Sequence, residues 1–150
     1  MQNIKEVIKT YGSSYLGEGD KNDCTVKALS VTLEVPYDKA HSFARRAWNR
    51  KKGRGVSTAA IKLSFEGIGS IPLSTLSNKK AKRVCTTKTY WIGGGQTKER
   101  KMKLLSFIKK YSSGSYYVLV RGHALAVRKG ELIDNNPNLN RRVLYAWLLT

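Results

Sequence analysis

Disulfide scaffolds, metal clusters and membrane spans have almost nothing to draw on in this chain. Its two cysteines, Cys24 and Cys85, are too few for a disulfide framework or an all-cysteine zinc site. Only two histidines, His41 and His123, accompany them. A zinc site built from all four would contain no pair at close ligand spacing such as CxxC or HxxxH, so neither a metal nor a cofactor is expected. No run of about 18 apolar residues occurs, which excludes an apolar spanning helix. Met1 to Thr10 has no long apolar core followed by a small-residue cleavage site, so no secretory signal is expected. These absences together predict a soluble, cytoplasmic chain with free thiols. Acids are scarce too: 10 Asp and Glu face 28 Lys and Arg, giving a net charge of +18. A field of that size attracts polyanions such as nucleic acid, an acidic protein face or an anionic membrane surface. It equally serves solubility, and it says nothing about chemistry.

The 150 residues suit one domain spanning 1–150, with a helical half over about 1–69 and a sheet half over about 70–150. No internal repeat or low-complexity tract divides it. Residues 1–10 read as a short helix or an arm leading to Gly12-Ser13-Ser14, and a Gly-rich polar loop follows from Gly17 to Asn22. Asp23 is placed to cap a helix over about Cys24 to Glu34, with Val26, Leu29 and Leu33 as its buried stripe. Pro36 separates it from a second helix, about Asp38 to Arg50. Ser57 can cap a third, about Thr58 to Glu66, closed by Gly67 and Gly69. Short strands are expected around Arg83–Thr87 and Tyr90–Ile92. Gly93-Gly94-Gly95 reads as a flexible connector. Thr97 is placed to cap a fourth helix over about Lys98 to Tyr111, with Met102, Leu105 and Ile108 inward. The last forty residues change character: Tyr116–Arg121, His123–Arg128, Glu131–Asp134 and Val143–Leu148 are short apolar runs broken by turn residues. Lys129-Gly130 reads as a tight hairpin turn. Helices first, then an antiparallel sheet, is the α+β order.

Chemistry concentrates at few positions. Cys24 falls in the predicted first turn of a helix, where unpaired N–H groups and the helix dipole favour a thiolate. It is either a nucleophile or a small packing side chain. His41 lies between Ala40 and Phe43 with no acid or thiol placed to work with it. His123 opens the run His-Ala-Leu-Ala-Val just after Gly122. Beyond the next hairpin, Ile133-Asp134-Asn135-Asn136 could set Asp134 or Asn135 beside it, where a carboxylate or amide fixes the tautomer a general base needs. The plainer alternative is a strand-end histidine bonded to backbone. Cys85 sits in a basic stretch and reads as a half-buried strand cysteine.

The order of these residues resembles the papain-like cysteine peptidase superfamily, including its compact bacterial and phage members and the peptidases that trim double-glycine leaders. Asn22-Asp23-Cys24-Thr25-Val26-Lys27-Ala28-Leu29, Gly122-His123-Ala124-Leu125-Ala126-Val127 and Glu131-Leu132-Ile133-Asp134-Asn135 carry the resemblance, over about 35 residues. It implies that helices pack on a C-terminal antiparallel sheet. It also implies a peptidase or isopeptidase acting on a protein or peptide, with Cys24 as nucleophile, His123 as general base and Asp134 orienting it, Asn135 being the alternate. The family usually has a Gln several residues before the Cys to help bind the oxyanion. Here Tyr15-Leu16-Gly17-Glu18-Gly19-Asp20 contains none, leaving that task to Asn22 or to the backbone N–H of Cys24.

A second expectation follows from the charge and the missing Gln: a catalytically weak or inactive scaffold that binds nucleic acid or an acidic protein. Basic clusters lie at Arg45–Arg54, Lys79–Arg83 and Lys98–Lys110, with Trp48, Tyr90 and Trp91 nearby, and cations beside aromatics suit single-stranded nucleic acid. Small size, high charge and the compact order of these elements fit a bacteriophage or mobile-element protein, which would place it in a host cytoplasm.

Overall fold

The computed structural model describes residues 1–11 and 20–150. The expected break at Gly12-Ser13-Ser14, the first half of the Gly-rich loop and nearly all of the stretch lacking Gln lie outside the described residues. Four helices occupy the N-terminal part: α1 (Ile4–Lys9), α2 (Cys24–Leu33), α3 (Tyr37–Ala47) and α4 (Thr58–Phe65). They are followed by β1 (Ala81–Arg83), β2 (Thr87–Gly93), β3 (Gln96–Lys101), α5 (Leu104–Lys110), β4 (Ser115–Val120), β5 (His123–Arg128), β6 (Glu131–Ile133) and β7 (Val143–Leu149). Strands β1, β7, β4, β5 and β6 form one antiparallel sheet in that order, and among the described residues β2 pairs only with β3. The fold is therefore α+β, with helices mostly N-terminal and the five-stranded sheet in the C-terminal part.

The sheet is covered on both faces. Alternate residues along β5 enter separate cores: Ala124 and Ala126 join the helices α1 to α4, while Leu125 and Val127 join Met102, Leu104 and Phe107 on the other side. Such a strand is apolar at every position, as the continuous Ala-Leu-Ala-Val run shows. Helix α2 packs against β5, β4, α1 and α3. Every residue from Thr25 to Leu33 except Lys27 is buried, so the stripe expected on Val26, Leu29 and Leu33 is too narrow. A helix enclosed on all sides needs small or apolar residues all round, and Ala28, Ser30 and Thr32 meet that need. Thr32 returns its hydroxyl to the Ala28 carbonyl at 2.8 Å.

Turns end the strands where glycine allows them. Arg121-Gly122 joins β4 to β5, with Val120 opposite His123 and Gly122 at φ +68°. Lys129-Gly130 joins β5 to β6 with both residues at positive φ, the geometry of a type I′ hairpin.

Residues 98–101, expected to open a helix capped by Thr97, instead belong to strand β3 (Gln96–Lys101). Three successive glycines at positive φ close a hairpin, so the Gly-rich segment is a turn and not a free connector. Lys98, Glu99 and Arg100 pair across it with Tyr90, Thr89 and Lys88. Helix α5 accordingly starts later and is capped at Lys103, not Thr97, burying Leu104 and Phe107 while Leu105 is exposed. Met102 is buried, yet it precedes the helix. Cys85 falls between β1 and β2, exposed and not half-buried in a strand, with its sulfur 3.5 Å from Thr87 Oγ1.

The segment leading into α2 is fixed by a buried ion pair. Asp20 Oδ2 accepts from Arg50 Nη1 at 2.8 Å, and both side chains are 2% exposed. Asp20 Oδ1 takes the Gly53 N–H at 2.8 Å, and Arg50 Nη2 donates to the Lys21 carbonyl at 3.0 Å. His41 Nε2 lies 3.1 Å from the same carboxylate, so His41 does have an acid partner, one 21 residues upstream that its local sequence does not reveal. Removing one member of such a pair strands the other without its counter-charge. Asp20→Ala should therefore lower the unfolding free energy by about 3–5 kcal/mol, measured by urea denaturation.

Candidate active site

Cys24 is the first residue of α2, at the end where backbone N–H groups have no partner within the helix. Its thiol is partly buried. Asp23 precedes it at the cap position, but its carboxylate makes no capping bond. It turns away to accept the Tyr37 hydroxyl at 2.7 Å and to pair with Lys27 Nζ at 2.9 Å. The capping role expected of Asp23 is corrected on this point, since a buried carboxylate gains more from a cation and a hydroxyl than from one weak cap. Tyr117, wholly buried on β4, donates to the Thr25 carbonyl at 3.0 Å and fixes the first turn of α2 against the sheet.

His123 is the first residue of β5, the strand on which α2 lies. The two element starts meet, and the imidazole hydrogen-bonds the Cys24 thiol. Asp134 directly follows β6. Ala126 pairs with Ile133, and continuing that register sets Asp134 against Leu125, with His123 on the same-face diagonal. His123 Nε2 lies 2.9 and 3.0 Å from the two Asp134 oxygens, which leaves Nδ1 as the nitrogen for the thiol. Asn135, the alternate partner, does not take this place. It is exposed and gives only its backbone N–H, which donates to Asp134 Oδ1 at 2.8 Å.

Two further groups hold Asp134. Arg141 Nη1 donates to Oδ2 at 3.0 Å, while its Nε and Nη2 donate to the carbonyls of Asn138 and Asn136 at 2.7 and 2.8 Å. One guanidinium thus ties the loop after β6 to the carboxylate. The Asp134 backbone N–H donates to the Gln2 carbonyl at 3.2 Å, and the Gln2 N–H to Leu132 at 2.9 Å, so the N-terminal arm edges the sheet beside the site. Sequence reasoning missed both residues. Seven positions of loop separate Arg141 from Asp134, and Gln2 contributes only backbone atoms, which leave no residue-type signal.

These contacts set the charges. The His123 pKa is raised from 6.5 to about 9, first by the Asp134 hydrogen bond and then by that of Cys24. Burial pushes the Asp134 carboxyl up, but His123, the Asn135 N–H and Arg141 outweigh it and hold it below its usual value. Burial likewise pushes the Cys24 thiol up, and hydrogen bonds from His123 and the Ala124 N–H bring it below the usual 9.0. A thiolate beside an imidazolium is the arrangement that nucleophilic attack followed by proton return requires.

Space lies on both sides of the pair. A polar cleft of about 330 Å³ is lined by Asn22, Lys27 and Gly55 as well as Cys24 and His123. A smaller recess of about 130 Å³ lies against Val56, Ile61 and Leu119 and shares Cys24, His123, Gly55 and Gly122. Asn22 Nδ2 already donates to the Gly53 carbonyl at 3.0 Å, so only its second amide hydrogen is left for a ligand in the cleft. Among the described residues, no three His, Cys, Asp or Glu side chains gather where they could hold a metal ion, and no helix is long and apolar enough to cross a membrane. No protein-family model, curated protein or solved structure matches the chain.

Two titrations check this geometry. Alkylation of Cys24, followed site by site by mass spectrometry, should show a midpoint below pH 9. In His123→Ala the midpoint should rise, because burial remains while the hydrogen bond and the positive charge are lost. By NMR, the His123 ring should titrate near pH 9, and Arg141→Ala should raise that value, because a nearby positive charge is removed and Asp134, still ionised at that pH, is no longer shared between two cations.

Proposed function

We propose that the protein is a papain-like cysteine hydrolase, acting as a peptidase or isopeptidase with Cys24 as nucleophile, His123 as general base and acid, and Asp134 as the residue that orients His123. One observation carries this reading. Three side chains from α2, β5 and the end of β6, separated by up to 110 positions, form one hydrogen-bonded array opening on a cleft.

The chemistry follows from the charges. The Cys24 thiolate attacks the carbonyl carbon of an amide, a C–S bond forms, and the carbonyl electrons move to oxygen. The Cys24 backbone N–H at the helix start and the remaining Asn22 amide hydrogen are the donors available to that oxyanion. Its collapse breaks the C–N bond, and the His123 imidazolium gives its proton to the leaving amine. Water then attacks the thioester, losing its proton to His123, and the acid leaves with the thiolate restored. The Nε2 bond to Asp134 keeps Nδ1 aimed at sulfur throughout. Gly55 and Gly122 line both the cleft and the recess, so an extended backbone can pass close over the sulfur with no side chain in the way.

Hydrolysis of a fluorogenic peptide library is the direct test. Cys24→Ala and His123→Ala should lose activity while keeping the native circular dichroism. Asp134→Asn should lose on the order of 10⁴-fold in kcat, the cost of losing the orienting carboxylate in such a triad. The pH profile should be bell-shaped. It rises below pH 9 as Cys24 ionises and falls as His123 loses its proton near pH 9. Full activity in Cys24→Ala would overturn the proposal.

A further inference from the structure

The β2–β3 hairpin has no structural task that accounts for its sequence. It is rooted at its base, where the Met102 N–H donates to the Thr86 carbonyl at 2.8 Å and Arg142 donates to the Lys101 carbonyl at 2.9 Å. Beyond that, among the described residues, it packs only marginally on other elements, and all of β3 before Lys101 is exposed. A lone two-stranded ribbon is marginal in water, and this one is loaded with like charge. Lys88 stands directly opposite Arg100, and Lys98 opposite Tyr90 on the same face. Arg142 reaches that face as well, with its guanidinium 5.9 Å from the Tyr90 ring centre. Like charges directly across a ladder oppose pairing, and the hairpin's acid, Glu99, pairs with Thr89 on the other face. Toward the tip, Trp91 lies on that other face with Thr89 and Glu99; it is 70% exposed, whereas Trp48 and Trp147 are 5% and 0% exposed.

We propose that this hairpin binds single-stranded nucleic acid that crosses the edge of the ribbon near its tip, with Lys88, Lys98, Arg100 and Arg142 on the phosphates at one face and Trp91 stacked on a base at the other. An anion along the cationic face removes the repulsion that the free ribbon carries. The aromatic decides among polyanions: an exposed indole offers a carboxylate-rich protein face no more than one N–H donor, but it stacks on any base that is not already within a duplex. The binding does not depend on the Cys24 chemistry.

The test is a fluorescence titration of the full chain with an oligothymidylate of about 12 nucleotides, within the span such sites cover, at about 50 mM salt. Trp91 is the one tryptophan open to contact, so its emission should be quenched. Trp91→Ala should abolish the quench and weaken binding, read by anisotropy of a labelled strand, by about 5- to 150-fold, the equivalent of one lost base stack. The triple variant Lys88→Ala, Lys98→Ala, Arg100→Ala should reduce the slope of log K against log salt by about 2, at about 0.7 per phosphate. Both variants should keep the wild-type rate of Cys24 alkylation, showing that the fold and the thiol site are intact. Three results would each overturn the proposal: no binding at this salt, equal affinity for polyglutamate with Trp91→Ala silent, or equal affinity for a duplex of the same length without quenching. Cys24→Ala should bind the strand as wild type does, so loss of hydrolysis and loss of binding are separable outcomes.

Discussion

A carboxylate 2% exposed must be held by donors or give up its charge, and Asp134 is held from every side. His123, the Asn135 N–H and Arg141 bond its oxygens, and the Gln2 carbonyl fixes its backbone. With the carboxylate ionised, the imidazole beside it is favoured as imidazolium, and an imidazolium in turn favours the Cys24 thiolate. If Asp134 were neutral, the largest contribution that favours the imidazolium would be lost. The polarity of the cleft therefore rests on a charge that the fold itself maintains.

The same logic explains why α2 cannot shift. Its first turn is held by Tyr117 through the Thr25 carbonyl and by Asp23 through Tyr37 and Lys27, and the segment before it by Asp20 and Arg50. Rotation of α2 would break buried hydrogen bonds at each of these points, and each broken bond costs more than its formation gains. Cys24 is thus carried on a helix that is rigid at the end where position matters. The hydrogen bond to His123 is set by packing and not by local flexibility.

Much of this was legible in the sequence where periodicity, turn chemistry and chain order agree. The helices before residue 70, the break at Arg121-Gly122, the tight turn at Lys129-Gly130 and the approach of Asp134 or Asn135 to His123 could be read from apolar runs and their breaks, while the part of Cys24 came from the papain-like resemblance. The failures share a cause: they depend on contacts distant in sequence. Residues 98–101 have the polar composition of an exposed helix face, and only the pairing with β2 makes them a strand. Asp23 has the side chain of a cap, but Tyr37, 14 positions on, draws it away. His41 looks isolated until the chain brings Asp20 back to it. Arg141 is one of 28 basic residues, and nothing local distinguishes a half-buried, paired guanidinium from the others.

The acids show why the net charge is a surface property. Asp20, Asp23 and Asp134 have side chains no more than 4% exposed, and each is paired with a cation. Glu34, Glu66 and Glu131 each face a cation at the surface as well. With the acids committed in this way, the surplus of Lys and Arg has little to neutralise it locally. Where that surplus lies on helices packed against the sheet, it spreads over a wide surface. On β2 and β3 it is forced onto one face of a narrow ribbon, because alternate residues of a strand point the same way. An even +18 would keep the molecule soluble without further consequence. Concentrated on one face of a ribbon whose other face carries an exposed indole, the same charge costs the free protein stability, a cost that salt screens in part and a bound anion relieves.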